Sequence, residues 1–369
     1  MHPVEQYLKN LSEIHCTGGA TAETSYYARL ETLLNEVGAK LKPKVRAVAQ
    51  LANMGAGSPD FGLFTAKTEQ VSKYWKHYGL VLVTNYRDFV LIGRDEAGQP
   101  LRLETYRMAD SEKEFRVLLA HPRKAADTQG ERLLEFLRRV LLYEAALTNP
   151  EDLAWFLASY AREARHRVEF FATLPALDGL RKALEEALGM TFEGDKGEHF
   201  FQATFVQTLF YGIFSSWVLW CREHQGQPNT PFDWQKAAWT LHVPMVKSLF
   251  DQIATPTKLK PLDIEEVLDW AGAALNRVDR TAFFAKFEEE HAVQYFYEPF
   301  LNAYDPELRK ELGVWYTPPE IVRYQVERVD RVLREELNLP DGLADDNVVV
   351  LDPCCGTGAY LVETLKRIH

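Results

Sequence analysis

The chain has 369 residues, 42 Lys plus Arg against 53 Asp plus Glu, and a formal net charge of −11. That length exceeds the usual size of a single core, so two or three domains are expected. The hydrophobic and charged fractions exclude a disordered or collagen-like chain, and the acidic balance excludes a uniformly basic nucleic-acid surface while leaving room for a local basic groove. Cys16, Cys221, Cys354 and Cys355 form no CxxC pair and no zinc-site spacing, which suits reduced thiols in a cytoplasm. The opening "MHPVEQYLKNLSEIH" lacks the apolar core of a signal peptide.

In chain order, the first stretch reads as a helix, "TAETSYYARLETLLNEVG", followed by short apolar runs such as "GLVLVTN" and "DFVLIGRD" that suit strands of one sheet. Between them, "GAGSPDFGLF" places Asp60 after a proline at the head of an apolar run, and "EQVSKYW" spells Gln70-x-x-x-Tyr74. These pieces resemble the PD-(D/E)xK nuclease core, whose Q-x-x-x-Y helix follows the catalytic strand in restriction enzymes. The resemblance implies a catalytic Asp60, Gln70 and Tyr74, and Mg²⁺ held by Asp60 with Glu23 as an additional carboxylate. The middle element departs from the pattern. "TAKTE" contains no E-x-K, and Lys67 and Glu69 have the right types in the wrong order. Either the nuclease is inactive or residues that belong between Lys67 and Thr68 are absent, and Mg²⁺-dependent cutting is expected to be undetectable.

A long helical block follows, with the 3.6 period plain in "ERLLEFLRRVLLYEAAL" and "LDGLRKALEEALG". Within it, His199 to Cys221 carries no Lys, Arg, Asp or Glu and is long enough to cross a bilayer. Gln202, Thr204, Gln207, Thr208, Ser215 and Ser216 recur through it, so a buried helix of a large helical domain is the preferred reading, with no membrane contact.

In "GVWYTPPEIV", Thr317 followed by Pro318, Pro319 and Glu320 reads as a capping box opening a helix whose apolar face runs Val322, Val326, Val329, Leu333, Leu337. "DDNVVVLDPCCGTGAYLVETLKRI" then places an apolar run, Val348 to Leu351, as a buried parallel strand, a turn at Gly356 and Gly358, and a helix from Ala359. A dinucleotide fingerprint needs a further glycine that this loop lacks, and the chain contains no GxxxxGK[ST] loop for ATP-driven translocation.

Together the two stretches resemble motifs of DNA adenine-N6 methyltransferases, G-x-[FY]-[FY]-T-P and then D-P-x-C-G-[ST]-G. The resemblance implies that Tyr316, Thr317 and Pro318 flank the methionine part of S-adenosylmethionine and that Asp352, Pro353, Cys355, Gly356 and Gly358 form its loop. Cys354 and Cys355 are expected to pack rather than to act as nucleophiles. The family's [DNS]-P-P-[YFW] tetrapeptide, which grips a flipped adenine, has no counterpart here: "TNPED" lacks the second proline and the aromatic.

The expected fold class is thus α/β plus all-α: a nuclease-like α/β domain over 1–108, a helical connector over 109–300, and over 301–369 the start of a Rossmann-like methyltransferase domain. That order resembles single-chain restriction–modification enzymes, closer to Type IIG than to the translocating Type ISP group, and implies duplex DNA as partner and phage defence as context. Two rivals share these features: a methyltransferase acting on a small molecule or RNA, and an inert remnant or interaction scaffold. The parent gene is expected to continue past His369 through further strands, a [DN]-P-P-[YF] motif and a target-recognition region. The present chain alone is expected to bind S-adenosylmethionine weakly, with a poorly ordered or adhesive C-terminus.

Overall fold

The computed structural model describes residues 2–16, 24–49, 61–65, 80–94, 100–171, 175–189, 191–225, 227, 230–236, 241, 250–251, 253–287, 296–306, 317–355 and 358–369. These divide into two units, Met1–Ala146 and Leu147–His369. The described chain is mostly helical, and its strands are paired antiparallel.

The first unit opens with α1 (Pro3–Cys16) and α2 (Thr24–Gly38). Val4, Tyr7, Leu8 and Leu11, and then Leu30, Leu33, Leu34 and Val37, repeat the i, i+3, i+4, i+7 spacing and are buried in one core. β1 (Val45–Ala49) pairs antiparallel with β2 (Phe61–Thr65) as a ribbon. β3 (Val81–Thr84), β4 (Asp88–Arg94) and β5 (Pro100–Arg107) form a separate meander, in agreement with the strands expected at "GLVLVTN" and "DFVLIGRD". The β3–β4 turn is locked by Asn85, whose Oδ1 accepts from the Arg87 and Asp88 amides. Alternation along β4 turns Phe89 and Leu91 inward.

Helices α3 (Glu112–Ala120) and α4 (Pro122–Leu141), though helical in period like the block that follows, share this core through Phe115, Leu119, Leu133, Phe136, Leu137 and Val140. Glu104 on β5 and Arg139 on α4 meet there at 2.8 Å, with side chains 1% and 3% exposed. Two charges so thoroughly removed from water depend on each other.

The second unit contains α5 (Pro150–Phe170), α6 (Pro175–Leu188), α7 (Gly194–Glu223), α8 (Glu265–Asn276), α9 (Arg280–Phe284), α10 (Glu298–Tyr304), α11 (Pro319–Glu335) and α12 (Ala359–Ile368). Asn149 caps α5 by accepting from Asp152 N–H, with Pro150 in the first turn. Among the described residues no helix is long and apolar enough to cross a membrane. α7 is instead core on most sides, burying Phe201, Phe205, Phe210, Phe214 and Trp217. Its polar residues find partners within the protein: Gln202 donates to Glu198, Thr208 donates to the Thr204 carbonyl, and Ser215 meets the Tyr297 hydroxyl. Beside it, Asp305 holds Arg165 of α5 at 2.6 Å and His199 of α7 at 3.1 Å.

Glu104→Ala should strip Arg139 of its buried carboxylate and destabilise the first unit by about 3–5 kcal/mol. Paired replacement by Glu104→Leu and Arg139→Met should recover most of that loss in urea denaturation.

Candidate cofactor site in the closing segment

α11 begins at Pro319, and its cap position falls on Pro318 (φ −54°, ψ 137°), which makes no side-chain cap hydrogen bond. The expected capping box at Thr317 is therefore not formed. The helix starts one residue later than the capping pattern requires, and Thr317 stands exposed outside it. The apolar face is also narrower than its spacing suggested. Val322 and Val326 are buried with Leu343, Leu333 is partly covered, and Val329 and Leu337 are exposed.

A carboxylate takes the inward position that follows Val326. Asp330 is 3% exposed and joins three stretches of chain. Its Oδ1 accepts from Leu343 N–H at 3.0 Å, and its Oδ2 accepts from Arg334 Nε and from Arg367 Nε, each at 3.1 Å. Gly342 is fitted to this carboxylate: its φ is +60°, and a Cβ there would lie 2.0 Å from Asp330 Oδ1. The Tyr360 hydroxyl adds a second tie by hydrogen bonding to Gln325. Burial pushes the Asp330 carboxyl up, but the Leu343 amide and the two guanidiniums more than offset this and hold it below its ordinary value.

The run Val348–Leu351 forms no strand, and Val349 and Leu351 are 90% and 82% exposed. This corrects the buried parallel strand expected from its apolar character. A strand exists through ladder hydrogen bonds to a neighbour, and among the described residues none pairs with it. Asp352 follows, with Oδ1 accepting from Cys354 N–H at 3.1 Å while Oδ2 is buried without a hydrogen-bond partner. Gly358 N–H donates to the Cys355 carbonyl at 2.8 Å, and Gly358 (φ +78°) caps α12 without a side chain. The loop thus offers a buried acceptor lacking a donor and, at the start of α12, amides without a side-chain cap. That pairing of an acceptor with amide donors fits a ligand that carries both donors and acceptors, as S-adenosylmethionine does. Cys354 and Cys355 are exposed, so the expectation that they pack is not met.

Comparison with known proteins bears on this segment. Residues 288–369 match the N-6 DNA Methylase family model. No curated protein matches the chain. Among solved structures the chain is similar to the DNA complex of DrdV determined by cryo-electron microscopy, with 19% identity and a TM-score of 0.38, covering 100% of this chain and 35% of that one. The chain therefore spans about a third of that protein's length.

The methylase-matching segment contains every residue that the sequence assigned to the cofactor. Thr317, Pro318, Asp352, Pro353, Cys355 and Gly358 are described, whereas Tyr316 and Gly356 lie outside the described residues, as do Glu23, Asp60, Gln70 and Tyr74. Among the described residues no group of three or more His, Cys, Asp or Glu side chains could hold a metal ion. Sequence reasoning missed Asp330, although its place three and four residues before Leu333 and Arg334, on the line of Val322 and Val326, was open to view.

A carboxyl held below its ordinary value stabilises the fold above the unfolded-state value of about 3.9, and that contribution is lost as pH falls through the folded value. The protection factor of the Leu343 amide should therefore fall on acidification below about pH 4. In Asp330→Asn it should be lower already at neutral pH and respond less to acid.

Proposed function

We propose that this chain carries the cofactor-binding opening of a DNA adenine-N6 methyltransferase belonging to a restriction–modification protein, with the order of segments of the Type IIG group. The observation that carries the reading is the orphaned Asp352 oxygen beside the Gly358-capped helix, inside the segment that matches the N-6 DNA methylase family. S-adenosylmethionine, when bound, supplies an electrophilic methyl group.

The chain's own residues hold and orient that cofactor. Tyr316, Thr317 and Pro318 flank its methionine part, and Asp352, Pro353, Cys355, Gly356 and Gly358 form the loop around it. Asp352 acts as acceptor, and the α12 amides act as donors. Gly358 lets the backbone come close. No [DN]PP[YF] tetrapeptide occurs in these 369 residues, so none of them is assigned to gripping the adenine.

The nuclease-like stretch with Glu23, Asp60, Gln70 and Tyr74 belongs to the restriction half of the same protein. Without an E-x-K pair it has too few carboxylates for Mg²⁺ and no lysine at the attacking water. A cytoplasmic protein acting on duplex DNA follows from this reading.

The natural full-length protein should bind S-adenosylmethionine in calorimetry and transfer labelled methyl groups to adenine N6 in duplex DNA. Asp352→Ala should weaken cofactor binding by about 10- to 100-fold, the range for a hydrogen bond to a charged group. Transfer to cytosine, to RNA or to nothing at all contradicts the proposal. Mg²⁺-dependent cleavage that disappears in Asp60→Ala would show that Glu23, Lys67 or Glu69 completes a nuclease site.

A further inference from the structure

Between α2 and β1 the sequence reads "AKLKPKVR". Lys40, Lys42, Lys44 and Arg46 alternate with uncharged residues, and no Asp or Glu occurs between Glu36 and Asp60, in a chain whose formal net charge is −11. All four cations are exposed. Elsewhere several described arginines are engaged within the protein: Arg139 by Glu104, Arg165 by Asp305, Arg167 by Glu266, Arg334 by Asp330, and Arg280 against the Trp220 ring. Among the described residues no such pairing engages Lys40, Lys42, Lys44 or Arg46.

The loop that carries them is closed at its base. A Cβ on Gly38 would lie 2.1 Å from the Val45 carbonyl oxygen, so the end of α2 and the start of β1 are in direct contact. Lys40 N–H donates to the Val37 carbonyl and Leu41 N–H to that of Gly38. Asn35 clamps β1, donating to the Ala47 carbonyl and accepting from the Ala47 amide, both at 2.9 Å. Leu41, Val45 and Ala47 anchor the segment in the core, and alternation leaves Arg46 outward. Successive lysine Cα atoms are therefore at most about 7 Å apart along the chain, comparable with a Debye length of about 8 Å, so like charge is concentrated on one short loop.

A fixed cluster of unpaired cations is complementary to a polyanion of regular charge, and duplex nucleic acid presents one negative charge per roughly 1.7 Å of axis. Lysines contact phosphate as point charges and read no sequence. Single-stranded nucleic acid is usually gripped by stacking on aromatic rings as well, and Gly38–Ala49 contains no aromatic residue. We propose that Lys40, Lys42, Lys44 and Arg46 form a docking knob for the phosphate backbone of duplex DNA. The choice of DNA rests on the methyltransferase reading above; the geometry of the knob does not.

The test measures binding of the natural full-length protein to a random-sequence duplex of about 30 base pairs, by fluorescence anisotropy, as salt is raised from about 50 to 200 mM. Each engaged phosphate contributes about 0.9 to the slope of log affinity against log salt. The variant carrying Lys40→Gln, Lys42→Gln, Lys44→Gln and Arg46→Gln should have a slope shallower by about 3 to 4, so its loss of affinity across that range is about a hundredfold smaller. Lys42→Gln and Lys44→Gln alone should each remove about 0.9. The variant with all three lysines changed to arginine should keep the wild-type slope. An unchanged slope in the fourfold variant, or tighter binding of single-stranded DNA or RNA through the same residues, overturns the proposal. Adenine methylation with an unchanged slope sinks the knob alone, whereas a knob-dependent slope without any adenine methylation sinks the methyltransferase reading alone.

Discussion

The closing segment hangs on one carboxylate. Asp330 is reached by an amide from the turn at Leu343, by a guanidinium from its own helix and by another from α12. The apolar contacts that accompany it are few: Val322, Val326 and Leu343 are the fully buried members, with Leu333, Val348 and Tyr360 at their edge. Burying three such side chains contributes about 1.5–3 kcal/mol each, a modest sum against the cost of ordering the backbone between them. A charged hub compensates for a thin core here. It also fixes the direction in which α12 leaves the Asp352 loop, because Arg367 lies in the last turn of that helix.

Charge is distributed unequally over the described residues. Several arginines in the helical unit are turned onto carboxylates and rings: Arg165 lies over Tyr304, Arg181 over Phe201, and Arg277 over Phe156. Guanidinium suits this role, since it stacks on aromatic faces while its edge hydrogen-bonds. Lysine, with a compact and strongly hydrated head, is left for surfaces such as the α2–β1 turn. Among the described residues, the arginines named here lock helices together, whereas the lysines of that turn present charge to solvent.

How much of this was legible in the sequence follows from which interactions are local. The helices of the middle block and strands β3 and β4 were readable because a 3.6 period or an alternation is a property of neighbouring residues. The apolar, uncharged stretch of α7 was rightly read as core, because its Gln and Thr residues bond within one turn to Glu198 and to backbone carbonyls. Two readings failed where the outcome depends on something distant or on a single residue of offset. Val348–Leu351 has the composition of a strand, but composition does not supply the neighbour that a ladder requires. Thr317 has the chemistry of a cap, but the adjacent prolines shift the helix start past it. Asp330 escaped because a charged residue on an apolar stripe is ordinarily discounted, whereas this one is the stripe's anchor.

The long apolar helix has a consequence for how the chain is made. His199 to Cys221 leaves the ribosome without a single Lys, Arg, Asp or Glu, yet α10, which supplies Phe300 and Tyr304 to its surroundings, ends only at Tyr304. At about 5–20 residues per second, that last cover arrives roughly 4–17 s after Cys221 has been added. Throughout that interval the apolar stretch lacks its last cover. Its buried or half-buried Gln, Thr and Ser side chains then act twice: in the finished protein they bond to neighbours, and during synthesis they lower the affinity of this stretch for a bilayer.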